Sequence, residues 1–472
     1  MESRWGSYER HVLTLVTASV LAAVVSSTVL SVSLPVFSRA LDTGPLGSTW
    51  LLLAPLLAGT CLLVPLGRIA DLVGRRELYL LGLTVFTAGG LGAGFATGTG
   101  PLLGLLVIQS LGAAMVLCNT GAVVGSVFRG PGLARAMGIY LAGVSVGQML
   151  GPVVGALVAD ALGWRAVFWV QVPLGLACLV LGAAVLGRLP ERDRPSVSSP
   201  DLPGGALLAL AVAALLLTVS TVAAGHPPVW VLPTGVAVVV LAGAGFVVVE
   251  RRAARPLVSS RLLRDRVFVR ANVGNMLSVP PRFVAATVVG LHFQAALGDP
   301  AVVAGLKLLP LPVGITAGSL LCGRIAARVG ARAAGRTASA AMVLGLTILA
   351  AALGGGHYPV QALGLLVLGA GGGLFGAVVS TVIVRAAPVE EIGTVNGLRI
   401  TLMNVTASTG LALGLALAVS LVPVVDRAAV LQARAPGPLG AALTGGLLLV
   451  LAVMAVVAVV AGLVLPRVPE RD

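Results

Sequence analysis

The residues of this chain able to do chemistry are the few charged and polar side chains set inside or at the ends of long apolar runs. Asp71 stands in Gly67-Arg68-Ile69-Ala70-Asp71-Leu72-Val73-Gly74-Arg75-Arg76, where one such run ends. A carboxylate there accepts hydrogen bonds from a nearby helix end or pairs with an arginine. Arg282 follows Pro280-Pro281 in the middle of a run. An ionised arginine at a helix centre costs about 2.5–3.5 kcal/mol on insertion scales, so it faces a cavity or a partner. Either it caps carbonyls that the two prolines free, or it attracts an anion. Lys307, the one lysine, lies a turn or two inside another run and points to the same cavity or snorkels outward. Together these cations suggest an anionic or zwitterionic substrate, or an amphipathic metabolite with an acidic group.

Proton transfer has fewer candidates. None of the seventeen acidic residues falls at the centre of a run: Asp71 and Glu77 lie at one end of a run, Asp160 and Asp299 near the opposite ends. A proton-coupled carrier needs a group whose pKa moves between two access states. That leaves His292, Asp160, or a substrate that carries its own proton. Gln109, Asn119, Gln148, Gln171, Asn272, Asn275, Gln294, Arg399 and Asn404 are further polar candidates for a cavity. For any single one of them, interhelical glue worth about 0.6 kcal/mol on average is the better reading.

Enzymatic chemistry has little footing. His11, His226, His292 and His357 are isolated, with no HExxH, zinc spacing or phosphate-binding loop, so no metal or cofactor is expected. The run Gly369-Ala370-Gly371-Gly372-Gly373 lies inside an apolar stretch and reads as close packing. Without a Walker-type sequence, ATP-driven transport by this chain alone is excluded. Cys61, Cys118, Cys178 and Cys322 read as small core residues. The net charge of +14 comes from arginines dispersed between apolar runs, which excludes a nucleic-acid patch and reads as topology-setting charge.

The elements that position these residues must be membrane helices. The chain is 57% hydrophobic and only 10% charged, with a mean hydropathy of +1.04, far from the roughly 25% charge of a soluble domain. Lipid is its solvent. With about 20 residues per span, fourteen spans are predicted near 11–36, 49–67, 77–98, 101–128, 135–160, 164–187, 203–224, 228–249, 267–297, 301–322, 335–355, 359–384, 394–422 and 440–465. The first run lacks a convincing cleavage site and is expected to be a retained helix. Loops bearing Arg68, Arg75, Arg76, Arg129, Arg135, Arg188, Arg251, Arg252, Arg324, Arg328, Arg332 and their neighbours alternate with loops holding little beyond Arg39, Arg165, Arg427 and Arg434. The positive-inside rule then puts both termini in the cytoplasm of an inner-membrane protein.

GRIADLVG at 67–74 returns as GRIAARVG at 323–330, six of eight positions identical and 256 positions on. A repeat so placed marks a duplicated membrane bundle. Six helices need roughly 190 residues, and the excess matches the pair near 203–249. The expected organisation is an N-terminal six-helix bundle (1–200), an inserted pair (201–250), a cytoplasmic linker (251–266) and a C-terminal six-helix bundle (267–472). Ala327 replaces Asp71 in the second copy, so a gating role concentrates in the first.

Residues 67–76 resemble the loop between helices two and three of the major facilitator superfamily. Gly147-Gln148-Met149-Leu150-Gly151-Pro152-Val153-Val154-Gly155 resembles its antiporter motif, GxxxGPxxG, although a generic small-residue packing face is the alternative. Asp160-Ala161-Leu162-Gly163-Trp164-Arg165, Trp50 and Ala304–Pro310 are similar to the fourteen-helix drug/proton antiporter branch. The resemblance implies an all-α major-facilitator fold of two bundles plus two central helices. It also implies alternating access around a midplane cavity and gating by Gly67, Asp71, Gly74, Arg75 and Arg76 with Gly323 and Arg324.

Three positions depart from that branch. Ser26 stands where its first helix carries an aspartate and Ser31 where it carries an asparagine. Leu106 replaces the fourth-helix arginine thought to move protons. Proton coupling is therefore implied by the resemblance alone. The expected function is secondary export of amphipathic small molecules, by a monomer, with no enzyme activity. The alternatives are a lipid, fatty-acyl or organic-anion carrier and, from another class, a non-transporting membrane scaffold or sensor.

Overall fold

The computed structural model describes residues 6–43, 45–128, 130–188, 202–223, 228–253, 260–353, 357–388, 391–418, 420–423 and 438–466, and the regular structure among them is helical. In chain order the helices are α1 (Ser7–Ala40), α2 (Pro45–Val73), α3 (Arg75–Ala93), α4 (Thr99–Val127), α5 (Gly130–Leu162), α6 (Ala166–Trp169) and α7 (Gln171–Val185). Then follow α8 (Leu202–Ala223), α9 (Val231–Arg252), α10 (Ser260–Arg264), α11 (Arg266–Leu291) and α12 (Ala301–Lys307). The last four are α13 (Pro310–Leu353), α14 (Tyr358–Ala386), α15 (Ile392–Ala418) and α16 (Pro438–Val464). A π-turn over His292–Ala296 extends α11.

Among the described residues, twelve stretches are long and apolar enough to cross a membrane. One of them, Val303–Leu353, is broken at Gly330, whose φ of 76° and ψ of 160° no helix contains, so it counts as two. Adding α3, 19 residues with Arg75, Arg76 and Glu77 in its first turn, brings the spans to fourteen. Pro310 explains why α12 and α13 are separate: it lacks an N–H and disfavours helical geometry at the residue before it.

The two sequence repeats end alike. Gly74 (φ 126°) separates α2 from α3, and Gly330 (φ 76°) separates the two arms of α13. Both angles lie where only glycine sits without strain. The final residue of each octapeptide is thus a backbone requirement, and the copies differ only where Ala327 and Arg328 stand in place of Asp71 and Leu72.

The chain divides into two compact units. One comprises Met1–Ala213, Val238–Arg264 and Val384–Thr401; the other comprises Ala214–Ala237, Asp265–Ile383 and Leu402–Asp472. These limits differ from boundaries at 200, 250 and 266, because α8, α9, α14 and α15 each contribute residues to both units. Part of the expected linker, 254–259, lies outside the described residues.

In the first unit α1 packs on α5, and α3 and α2 pack on α4. Its main core gathers Val12, Val16, Tyr79, Val123, Met137, Tyr140 and Cys178. In the second unit α11 and α13 pack on α16. Gly369 and Gly373 of α14 each abut backbone carbonyls of α13, at Leu311 and Ile315, so the glycine run is a helix-crossing surface. Leu, Val and Phe side chains remain exposed along the helices, most fully on α9, where Leu232, Val236, Val240, Leu241 and Val247 face outward. That distribution suits hydrocarbon as solvent. Buried hydroxyls such as Ser19, Thr87 and Thr120 donate to carbonyls four residues back, which keeps them satisfied without water.

Candidate functional site

The densest polar cluster in the first unit forms around Asp71. It sits in the last turn of α2, buried, and its carboxylate reaches the first turn of α15, 322 residues further along the chain. Asp71 Oδ1 accepts from the Gly393 N–H at 3.2 Å. Oδ2 accepts from the Thr394 N–H at 3.0 Å and from the Thr394 hydroxyl at 3.1 Å. Arg75 Nη2 completes the set at 3.4 Å from Oδ1. A carboxylate offers about four acceptor sites, and here four donors occupy them.

Physically, Asp71 caps a helix to which it does not belong. The first N–H groups of α15 have no partner within that helix and carry its positive partial charge. A buried carboxylate satisfies both needs, and Arg75 balances its charge.

Glycines bring the two backbones together. A Cβ on Gly67 would come 2.5 Å from the Gly393 carbonyl oxygen, and one on Gly397 would strike the Leu63 carbonyl. A Cβ on Gly393 would lie 2.8 Å from the Gly67 carbonyl oxygen. Gly393 and Gly397, four apart, form the small-residue face of α15 on which α2 lies.

The next turn of α15 binds α4. Asn396 Nδ2 donates to the carbonyls of Leu117 and Cys118 at 2.8 and 3.0 Å. Its Oδ1 accepts from Arg399 Nε and Nη2 at 3.2 and 3.0 Å. Arg399 is almost wholly buried, and Thr401 donates to the Thr60 carbonyl at 3.3 Å. Sequence reasoning missed Thr394, Asn396, Gly393 and Gly397, and offered Arg399 as a cavity residue or as interhelical glue. The available signal was Gly393-Thr394-Val395-Asn396-Gly397, a GxxxG spacing with polar residues between, directly at a helix start.

The other sequence candidates fall in separate places. Arg76 is exposed beside the turn at Gly187. In the second copy Arg324 is exposed and Gly323 half-buried, and Ala327 offers no carboxylate. The antiporter-motif glycines of α5 face α1: Cβ atoms on Gly147 and Gly155 would lie 3.1 Å from Val24 and 2.9 Å from Val29, and one on Gly151 would strike the Thr28 hydroxyl. Pro152 belongs to α5, but its side chain is outside the described residues, as are those of Asp160 and Ser31.

Ser26 is half-buried on α1 and Gln148 half-buried on α5. Leu106 is buried in an apolar cluster with Val29, Leu30, Leu51, Leu102, Trp164 and Phe168. Gln109 donates to Gln171 at 3.3 Å, and Gln171 to the Val167 carbonyl at 3.0 Å. Asn119 donates to the Met115 carbonyl at 3.0 Å, within its own helix. Arg165 lies over the Trp164 ring at 4.3 Å and donates to the Ala96 carbonyl at 3.3 Å, just past α3.

In the second unit, Arg282 is half-buried and donates through Nη1 to the Gly372 carbonyl at 3.4 Å, so the carbonyl it reaches belongs to α14. A Cβ on Gly372 would lie 3.2 Å from the Arg282 Cδ, so the glycine run makes room for this side chain. Lys307 forms an ion pair with Asp299 and lies 5.2 Å from the Phe293 ring centroid and 5.8 Å from that of Tyr358. It is a paired cation. His292 is buried in the π-turn.

A fourteen-span helical chain with a carboxylate capping a second helix at the end of a duplicated loop is a transporter architecture. The family model of the Major Facilitator Superfamily matches residues 16–411, and the chain belongs to that superfamily. It is 30% identical over 378 residues to the multidrug resistance protein Stp of Mycobacterium tuberculosis (strain CDC 1551 / Oshkosh), covering 78% of this chain and 68% of Stp. It is 31% identical over 352 residues to the drug efflux pump JefA of the same strain, covering 73% of this chain and 68% of JefA. Among solved structures, the human organic anion transporter MFSD10 superimposes with a TM-score of 0.68 at 17% identity, over 97% of this chain and 99% of that one.

Proposed function

We propose that this protein is a secondary exporter of amphipathic small molecules and that the Asp71 cap on α15 is its gate. The observation that carries the reading is the four-donor carboxylate of Asp71. It joins helices more than 300 positions apart in sequence, through contacts that a rocking motion can make and break. The efflux names of the relatives Stp and JefA support export over uptake.

The energy source in this reading is the proton gradient, with coupling carried by the substrate's own acid group or by His292, because Ser26 and Leu106 replace the charged residues of the branch. Arg282 is the residue proposed to attract the substrate's anionic end; Lys307 is occupied by Asp299. The protein functions as a monomer in the inner membrane with both termini cytoplasmic.

The test is accumulation of lipophilic cations and amphipathic organic acids in an efflux-deficient bacterial host, with and without a protonophore. Lower accumulation of the acids, abolished by the protonophore and by Asp71→Asn, is the expected result. Unchanged accumulation of both classes, with the protein shown in the membrane, removes the export reading. Export retained by Asp71→Asn removes the gate assignment and leaves the export reading standing.

A further inference from the structure

Arg266 and Arg270 at the start of α11, Arg332 at the start of the second arm of α13, and Pro466 just past α16 line one cavity of about 360 Å³, together with Val267. Among the described residues, the charged groups that line it are three arginines. We propose that this cavity binds the phosphodiester headgroup of an anionic phospholipid, independently of the transport reading above.

Charge is the first ground. Guanidinium groups sharing one cavity repel each other, and the repulsion grows as water is excluded. An anion with several acceptor oxygens relieves it, and arginine presents the planar donor pair that phosphate matches. The neighbouring acid, Asp265, is turned the other way: its Oδ1 accepts the N–H groups of Val267 and Phe268 at 2.7 and 3.5 Å, as the N-cap of α11. Its charge is thereby directed at the helix end.

Position is the second ground, and it selects a lipid over a soluble phosphate ester. Residues 266, 269, 270 and 273 fall on one face of α11 at spacings of three and four. Arg266 and Arg270 are exposed on that face, and so are Val269 and Val273 one to two turns further along. The last turns of α16 expose Val459, Val460 and Leu463. Apolar walls therefore run into the membrane from the arginine-lined cavity, as acyl chains below a bound headgroup require. A basic pocket between helices at the membrane face is the recognised setting for such headgroups. The volume lies within the roughly 300–1,000 Å³ range of small-molecule sites.

The experiment is native mass spectrometry of the purified full chain, titrated with phosphatidylglycerol, phosphatidylcholine or soluble glycerol 3-phosphate. The expected result is one preferentially retained phosphatidylglycerol, weakened on the order of a hundredfold in Arg266→Gln/Arg270→Gln/Arg332→Gln. A charge-matched control, Arg251→Gln/Arg252→Gln/Arg261→Gln, should leave it unchanged. The triple lysine variant at 266, 270 and 332 serves as the folded comparison if the glutamine variant does not fold, and it should bind more weakly than the native chain because the paired donors are lost. Equal retention of phosphatidylcholine, or binding undiminished in the cavity variants, overturns the proposal. Glycerol 3-phosphate competing as well as the lipid overturns the lipid assignment.

Discussion

Asp71→Asn is the substitution that most directly interrogates the cap. The side chain keeps its shape, but one oxygen becomes an NH₂ donor. Turned one way, that donor faces the Thr394 N–H and hydroxyl; turned the other, it faces the Gly393 N–H and Arg75. Facing Gly393 and Arg75 it breaks two hydrogen bonds; facing Thr394 it opposes the N–H while the hydroxyl can rotate to accept from it, and in both cases the remaining bonds lose their ionic character. Hydrogen bonds to a charged group contribute about 1.5–3 kcal/mol each, and removing one partner of a buried charged set costs about 3–5 kcal/mol. A loss of about 3 kcal/mol is expected after relaxation, on the order of a hundredfold in the capped-to-uncapped ratio. Hydrogen exchange read by mass spectrometry reports this at the two amides that donate. Peptides covering residues 392–397 should exchange about a hundredfold faster in Asp71→Asn, while peptides from the middle of α4 stay unchanged. Thr394→Val, which deletes only the hydroxyl, should cost about 1 kcal/mol. The double variant should fall short of additivity, because both changes remove the same contact. Unaltered exchange at 392–397 in Asp71→Asn would refute the cap.

Other expectations concern packing, strain and charge. Gly67→Val places side-chain atoms against the Gly393 carbonyl, so export in the accumulation assay should fall to background while the protein still reaches the membrane. Gly330→Ala forces a side chain into a conformation that essentially only glycine adopts, and a destabilisation of about 1–3 kcal/mol should appear as a lowered melting temperature. Leu106→Arg restores the charge typical of the branch but buries it among Leu102, Trp164 and Phe168, so thermal stability should drop without any gain in protonophore-sensitive export. Arg282→Gln should raise the concentration of organic acid needed for half-maximal export about tenfold while leaving lipophilic cations unaffected, measured by transport titration with each class.

The membrane class, the number of spans and the superfamily were legible without coordinates, because lipid imposes a composition and a span length that a linear string displays directly. The octapeptide repeat was legible for the same reason. Its closing glycines, Gly74 and Gly330, answer to a local backbone geometry that does not depend on distant partners. What lay beyond reach was pairing between helices. Asp71 was identifiable as an acceptor, but nothing in residues 67–76 names Gly393 and Thr394 as its donors. Lys307 and Asp299 are eight residues apart, yet only the turn between the π-turn and α12 makes them an ion pair. Arg282, placed by two prolines in its own helix, was resolved by a glycine on another, Gly372. Even the boundaries of the compact units escaped the chain order, since α15 contributes to both. Sequence determines which residues lipid will tolerate and where the backbone must turn, because those are properties of each segment against its solvent. Which buried polar groups meet is decided by how helices cross, a tertiary relation among residues hundreds of positions apart.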